Sequence, residues 1–300
     1  MKKVAVIGAA IIDILVSGAD ETVFRTGTLP TNGIRMSYGG DALNEATGLA
    51  HLGVPVRLET VIGDDEAGRA VLRRMEAAGL STEGIHIREG LRTGVNVVLV
   101  QPNGERSFLT DPNGSLRALK LSDITLPYPE DIGIVCFASL FVSPHLGISE
   151  MAELFRQAKA QGLTTCADTL RSKRGETVED MEPLLRHVDY LVPSEDEAFF
   201  LTRCSTVEDA ADAFRRFGAS TVIIKCGARG CYVKTAGGSF WVDAEKNVPC
   251  VDTTGAGDSF MAGFLSGLAQ DLPLEECLRL GNRCGAKAVQ YVGATTWTEV

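Results

Sequence analysis

Aromatic side chains are scarce in this 300-residue sequence, at 6% of residues. An interior without them must be filled by Val, Ile, Leu and Ala, which suits an α/β protein large enough to bury a substantial core. No apolar run approaches the length that spans a bilayer, so a membrane-spanning helix is excluded. The eight cysteines stand at positions 136, 166, 204, 226, 231, 250, 277 and 284, never in CxxC spacing. That argues against a zinc site and for buried thiols. Positive charge is in deficit, with 29 Lys and Arg against 39 Asp and Glu, a net charge of −10. An acidic surface disfavours nucleic acid and anionic membrane as partners, so any bound phosphate must be held locally. The charged start Met1-Lys2-Lys3 leads into an apolar run that stops at Asp13 with no cleavage-like end, which reads as a cytoplasmic protein.

Two familiar nucleotide signatures are also missing. Gly8 follows the strand-like run at 4–7, but Ala10 and Asp13 stand where a dinucleotide fingerprint needs its second and third glycines. Near the other end, Gly255-Ala256-Gly257 is not followed by the Lys of a Walker A loop. A cationic helper at that turn has to come from a metal ion or from elsewhere in the chain.

What the sequence does have is alternation. Strand-like runs at 4–7, 56–61, 134–137, 164–167, 190–192, 222–225 and 231–234 are interspersed with amphipathic segments at 42–52, 66–78, 149–161, 207–217 and 274–289. This predicts a mainly parallel central sheet with helices on both faces. Two stretches, about 14–37 and 93–110, break the rhythm with short strand signals and no intervening helix. They predict a small β lid over the sheet edge, within a single domain spanning 1–300.

The richest segment runs Val251-Asp252-Thr253-Thr254-Gly255-Ala256-Gly257-Asp258-Ser259-Phe260. Small residues at 255–257 let backbone N–H groups converge on an anion where a helix begins, and the helix dipole adds positive potential. Asp258 stands at the mouth of that cradle, where it can act as an N-cap or as a base for a substrate hydroxyl. Ala262, Gly263, Ser266 and Gly267 further along leave room on one helix face, which favours a ligand. A second element, Tyr38-Gly39-Gly40-Asp41-Ala42-Leu43-Asn44, opens the helix at 42–52 and puts Asp41 and Asn44 about one turn apart. Asp13, just past the first strand, is a third carboxylate at the sheet edge where open α/β sheets bind ligands.

With these blocks in view, the sequence resembles the ribokinase-like, or PfkB, carbohydrate kinases over essentially its whole length. Four blocks carry the resemblance: Asp13, Gly39-Gly40-x-x-x-Asn44, Gly63-Asp64-Asp65-x-x-Gly68, and Asp252-Thr253-Thr254-Gly255-Ala256-Gly257-Asp258. The last is the most specific. The resemblance implies ATP-dependent phosphorylation of a sugar-type hydroxyl, with Asp258 as general base and Gly255, Ala256 and Gly257 as the anion hole. It assigns Asp13, Gly39, Gly40, Asp41 and Asn44 to the substrate. It assigns Ser194, Lys225, Gly227, Arg229, Gly230, Gly257 and Asn282 to the nucleotide. Mg2+ would accompany ATP, with Glu197 acting on it indirectly. Some members hold K+ beside the anion hole, and Asp252 with the backbone of Thr254, Ala288, Tyr291 and Gly293 matches that location.

The departures concern metal and substrate. The family's Asn-x-x-Glu element stands here as Ser194-Glu195-Asp196-Glu197, so a shorter hydroxyl replaces the amide. Arg106, in the lid-like segment from Gly104 to Asp111, and Arg171, in Asp168-Thr169-Leu170-Arg171, are the two arginines available for a sugar acid. Asp13, Asp41 and Asp111 around one pocket favour a neutral pentose or hexose instead. A nucleoside kinase, with Phe108, Phe137 or Phe141 as a base slot, and a sugar-acid kinase of the 2-keto-3-deoxygluconate type are the alternative enzymes. A catalytically silent sugar- or nucleotide-binding protein is the alternative of another class. Family members often dimerise through the lid, and the same is expected here.

Overall fold

The computed structural model describes residues 1–101 and 105–299. Its strands are β1 (Lys3–Ile7), β2 (Ile11–Ser17), β3 (Gly33–Gly39), β4 (Val56–Gly63), β5 (Ile85–Arg88), β6 (Val95–Val100), β7 (Arg106–Thr110), β8 (Ile132–Leu140), β9 (Thr164–Thr169), β10 (Tyr190–Leu191), β11 (Thr221–Lys225), β12 (Cys231–Thr235) and β13 (Gly238–Val242). Its helices are α1 (Val23–Thr26), α2 (Asp41–His51), α3 (Glu66–Ala77), α4 (Ile148–Ala160), α5 (Glu182–Leu185), α6 (Glu195–Thr202), α7 (Val207–Arg216), α8 (Ala256–Ala269) and α9 (Leu274–Ala288).

Nine strands form the central sheet in the order β13-β12-β11-β10-β9-β8-β1-β4-β5. Pairing is parallel from β11 through to β5, and only the β11-β12-β13 edge is antiparallel. Strand pleat sends alternate side chains to opposite faces, and β1 shows the consequence. Val4 and Val6 join the core under α2, α3, α8 and α9, while Ala5 and Ile7 join the core under α4, α5, α6 and α7. The mainly parallel α/β fold expected from the alternation is present. β5 and β13 were not foreseen: β5 is a four-residue edge strand with two exposed positions, and β13 exposes Phe240 and Trp241, so neither shows a clean buried pattern.

The second sheet has the order β3-β2-β6-β7. It begins at Ile11 rather than near residue 14, which corrects the placement of Asp13. That residue is not in a loop past β1 but in the middle of β2, opposite Ser37 and beside Asn96. The one-turn helix α1 also lies between β2 and β3, where no helix was expected. Gly104 of the lid-like segment falls outside the described residues. Register puts Asp13 and Asn96 on one face of this sheet and Ile12, Ile14, Met36, Ile34, Val95 and Val97 on the other.

Small residues on α8 do not leave space for a ligand, as their number had suggested. A Cβ on Gly267 would fall 2.7 Å from Cys277 Cα, one on Gly263 would fall 2.5 Å from the Leu280 carbonyl, and one on Gly48 of α2 would fall 2.7 Å from Ala262 Cβ. The glycines therefore let α2 and α9 pack closely on α8, which draws the amino termini of α2 and α8 to one place. Trp297 Nε1 donates to Ser259 Oγ at 2.8 Å and ties the first turn of α8 to the end of the chain.

Candidate active site

A cleft of about 350 Å³ opens between the two sheets. Loops after β1 and β9, the end of β8, and the first turns of α2 and α8 form its base. The Asp13–Asn96 face of the small sheet forms its roof, with Phe108 of β7. Of the residues assigned to the substrate and the anion hole, Asp13, Gly40, Asp41, Asn44, Arg171, Gly255, Gly257 and Asp258 line it.

The contact that defines the site joins two helix amino termini. Asn44 Nδ2, in the first turn of α2, donates to Asp258 Oδ2, in the first turn of α8, at 2.7 Å. This hydrogen bond holds one carboxylate oxygen and leaves Oδ1 to take a proton. Gly255 precedes α8 with φ of 70°, and a Cβ there would fall 2.6 Å from Ala294, so both backbone and space demand glycine. Ala256 N is bonded to Thr253 O at 3.2 Å, and Ser259 N makes the first bond of the helix, to Gly255 O at 2.8 Å. The N–H groups of Gly257 and Asp258 lie between these two and have no helical partner, which is the arrangement that binds anions.

The cationic helper absent from the loop arrives from β11. The Lys225 ammonium lies 3.5 Å from where a Gly257 Cβ would stand and is ion-paired to Asp168 at the end of β9. Burial pulls the ammonium down, but Asp168 and then Glu197 outweigh it and hold it above its ordinary range. Asp168 itself is pushed up to about 7, chiefly by burial, against the pull of Lys225.

Negative charge is concentrated on the floor. Burial, then repulsion from Asp41, raises Asp258 well above the usual carboxylate range, and the Asn44 hydrogen bond works in the other direction. Asp41 is also raised by burial, against the Ser139 hydroxyl that donates to its Oδ2. Asp13 is raised for the same principal reason, while Asn96 Nδ2 donates to it at 3.2 Å. Gly39 is bare because a Cβ would fall 2.0 Å from Asp13 Oδ2. The carbonyl oxygens of Asn44 and Asn96 are buried without a partner. Each such group costs about 1–3 kcal/mol until a donor reaches it.

Other sequence candidates, Thr254 apart, lie outside the cleft. Arg106 reaches from β7 to Asp252 and pairs with it. Thr254 N and Thr254 Oγ1 donate to the same Asp252 oxygen at 2.9 and 2.7 Å, and Gly293 N donates to the other at 2.9 Å. The Ala288 carbonyl accepts from Tyr291 N at 3.1 Å. With a guanidinium and three further donors on Asp252, the residues in place do not fit a monovalent cation there. Of the residues expected to meet the nucleotide, Ser194 caps α6, where its backbone N–H donates to Glu197 Oε2 at 2.8 Å. Arg229, in the turn Gly227–Arg229 before Gly230, pairs with Glu195 at 2.5 Å and covers the Trp241 ring. Asn282 Nδ2 holds the carbonyls of Val242 and Asp243 at 3.2 and 3.0 Å. With Lys225 these residues form a strip running from the amino terminus of α8 toward β13. The Gly63–Gly68 block is a brace: Asp65 accepts from Gly68 N and Thr93 N, both at 2.8 Å, and fixes the root of the small sheet.

Residues missed in the sequence are Asn96, Ser139, Arg117 and Lys173, all on the cleft wall. Only Asn96 left a signal, as the one polar residue in the run Val95–Val100.

Residues 1–299 match the model of the pfkB family carbohydrate kinases. The chain belongs to that family. It is 28% identical to 2-dehydro-3-deoxygluconokinase of Haemophilus influenzae, over 98% of this chain and 95% of that protein. It is 30% identical to fructoselysine 6-kinase of Shigella flexneri, over 85% and 91%. Among solved structures, a putative ribokinase II from E. coli in complex with ATP and Mg2+ superposes with a TM-score of 0.84 at 25% identity, covering 99% of this chain and 96% of that one. The chain is thus a PfkB carbohydrate kinase, a phosphotransferase. No described helix is long and apolar enough to cross a membrane.

Proposed function

We propose that this kinase transfers the γ-phosphoryl group of ATP to a hydroxyl of a sugar or sugar-like polyol, with Asp258 as general base. The observation that carries this is the Asn44–Asp258 contact beside the N–H groups of Gly257 and Asp258, which have no backbone partner among the described residues. Asp258 Oδ1 takes the proton of the acceptor hydroxyl as its oxygen bonds to the γ-phosphorus. The bond from that phosphorus to the bridging oxygen of ADP breaks, and the N–H groups with Lys225 receive the charge spread over the transferring oxygens. Asp13, Asp41 and the two orphan amide carbonyls of Asn44 and Asn96 are matched to the donors of a polyol, and three carboxylates around the cleft, Asp13 on the roof with Asp41 and Asp258 on the floor, support a neutral pentose- or hexose-like portion there.

ATP would lie along the strip from Gly257 through Lys225 and Ser194 to Gly227, Gly230 and Asn282. Among the described residues no three His, Cys, Asp or Glu side chains are placed to cage a metal. Mg2+ needs no cage, because it keeps waters and phosphate oxygens as ligands; Glu197, with Asp168 and Asp258, would act through those waters. Its chemistry when bound is neutralisation of the phosphate oxygens.

The small sheet would serve as a lid over one catalytic unit that includes the whole chain. Its outer face exposes Ile34, Met36, Leu109 and Val95, which supports a homodimer formed lid to lid. ATP as donor and eight unpaired thiols support a cytoplasmic setting. A nucleoside acceptor is the second reading, supported by Phe108, Phe137 and Phe141 all lining the cleft. An ADP-release assay over neutral sugars, sugar acids and nucleosides tests the proposal: turnover with sugars supports it, turnover confined to nucleosides favours the second reading, and none across the panel despite ATP binding defeats both.

A further inference from the structure

The cleft has an acidic floor and a cationic far end. Arg117, at the end of a 3-10 turn below the small sheet, and Lys173, in the loop after β9, both line it. Past them it continues into an annex of about 150 Å³ that shares Arg117, Lys173, Phe141 and Ser143 and adds Arg174. None of the floor carboxylates lines the annex. Phe141 stands at the junction with φ of 72°, a left-handed conformation that a non-glycine residue holds only under constraint from its surroundings. Ser143 Oγ donates to the carbonyls of Arg117 and Leu119 at 3.3 and 2.7 Å, which fixes the turn that carries Arg117.

Among the described residues neither Arg117 nor Lys173 forms an ion pair, whereas Arg171 beside them has Asp196 at 3.8 Å. The one carboxylate in the annex, Glu176, is engaged by the Ser172 hydroxyl. Burial, then the charge of Arg117, lowers the Lys173 ammonium from its ordinary range. Arg117 and Lys173 lie close enough to repel each other, and an anion bound between them relieves that repulsion.

We infer that the annex is an anion subsite, and that the acceptor is a polyol carrying a carboxylate or a phosphate monoester at the end remote from the hydroxyl that is phosphorylated. This rests on the kinase function proposed above. It modifies the expectation of a wholly neutral sugar: the floor takes the neutral hydroxyls, while Arg117 and Lys173 take the charged end.

The test compares acceptors that differ only in that charge, D-glucitol against D-gluconate and D-fructose against D-fructose 6-phosphate, which also separates the carboxylate from the phosphate source. The expected result is kcat/KM about 10- to 100-fold higher for at least one charged member than for its neutral partner, the range for charge-assisted hydrogen bonds. Arg117→Gln and Lys173→Gln should each move that ratio toward one, and Lys173→Arg should keep it. Better use of both neutral members, or an equal loss on both members of a pair in the variants, overturns the inference and leaves the kinase function standing. If none of the four acceptors is phosphorylated, the choice of acceptor fails and the kinase function is left standing. Titration calorimetry with D-gluconate and with inorganic phosphate then decides the subsite alone, since binding lost in Lys173→Gln supports it and unchanged or absent binding overturns it.

Discussion

Replacing Asn44 with alanine removes the 2.7 Å hydrogen bond that stabilises the ionised form of Asp258. Asp258 is already raised well above the usual carboxylate range by burial and by Asp41, with Asn44 opposing them. Without the amide the carboxylate holds its proton to higher pH. A base works only when ionised, so kcat/KM falls as pH drops through its pKa, and the acid limb of the profile in Asn44→Ala should move to higher pH. A hydrogen bond to a charged group contributes about 1.5–3 kcal/mol, and each ~1.4 kcal/mol is tenfold in an equilibrium. The loss below the limb is therefore about 10- to 100-fold and shrinks as pH rises past it. An ADP-release assay from about pH 5 to about pH 9.5 measures this. A uniform loss at every pH with the limb unmoved would refute the reasoning and reduce Asn44 to substrate binding.

The same electrostatics set the other expectations. Asp41→Asn removes the charge that raises Asp258, so its acid limb should move to lower pH, and a limb that stays in place counts against the coupling. Lys225→Met strands Asp168 without its partner, and breaking a buried pair should cost about 3–5 kcal/mol of stability in urea unfolding, partly recovered by adding Asp168→Leu. Because Arg106 occupies Asp252, exchanging Na+ for K+ should leave kcat of the wild-type enzyme unchanged, and a clear K+ activation would show that the ion pair opens in solution.

The fold was largely legible because its causes are local. Apolar runs bounded by turns gave β1, β4, β8, β9, β11 and β12, and their alternation with amphipathic helices implied the parallel sheet. β5 and β13 escaped because edge strands bury too little to show a pattern. Among site residues, those at helix amino termini were readable, since Gly40–Asn44 and Gly255–Asp258 carry their backbone requirement in the residue type. Asp13 was recognised but misplaced, because nothing in Ile11–Ser17 distinguishes a lid strand from a loop at the sheet edge. The glycines of α8 were read as space for a ligand because only tertiary packing reveals that α2 and α9 fill it. Arg117 and Lys173 were invisible, since surface cations are common and their convergence depends on segments more than fifty residues apart.

The most direct test of the phosphotransfer role of Asp258 is single-turnover phosphorylation by Asp258→Asn, with ATP affinity measured in parallel by calorimetry. The expected result is a fall in the chemical rate of about 10²- to 10⁴-fold, the range for loss of a positioned base, with ATP still bound. A rate within a few-fold of the wild-type enzyme, at unchanged ATP affinity, would contradict it.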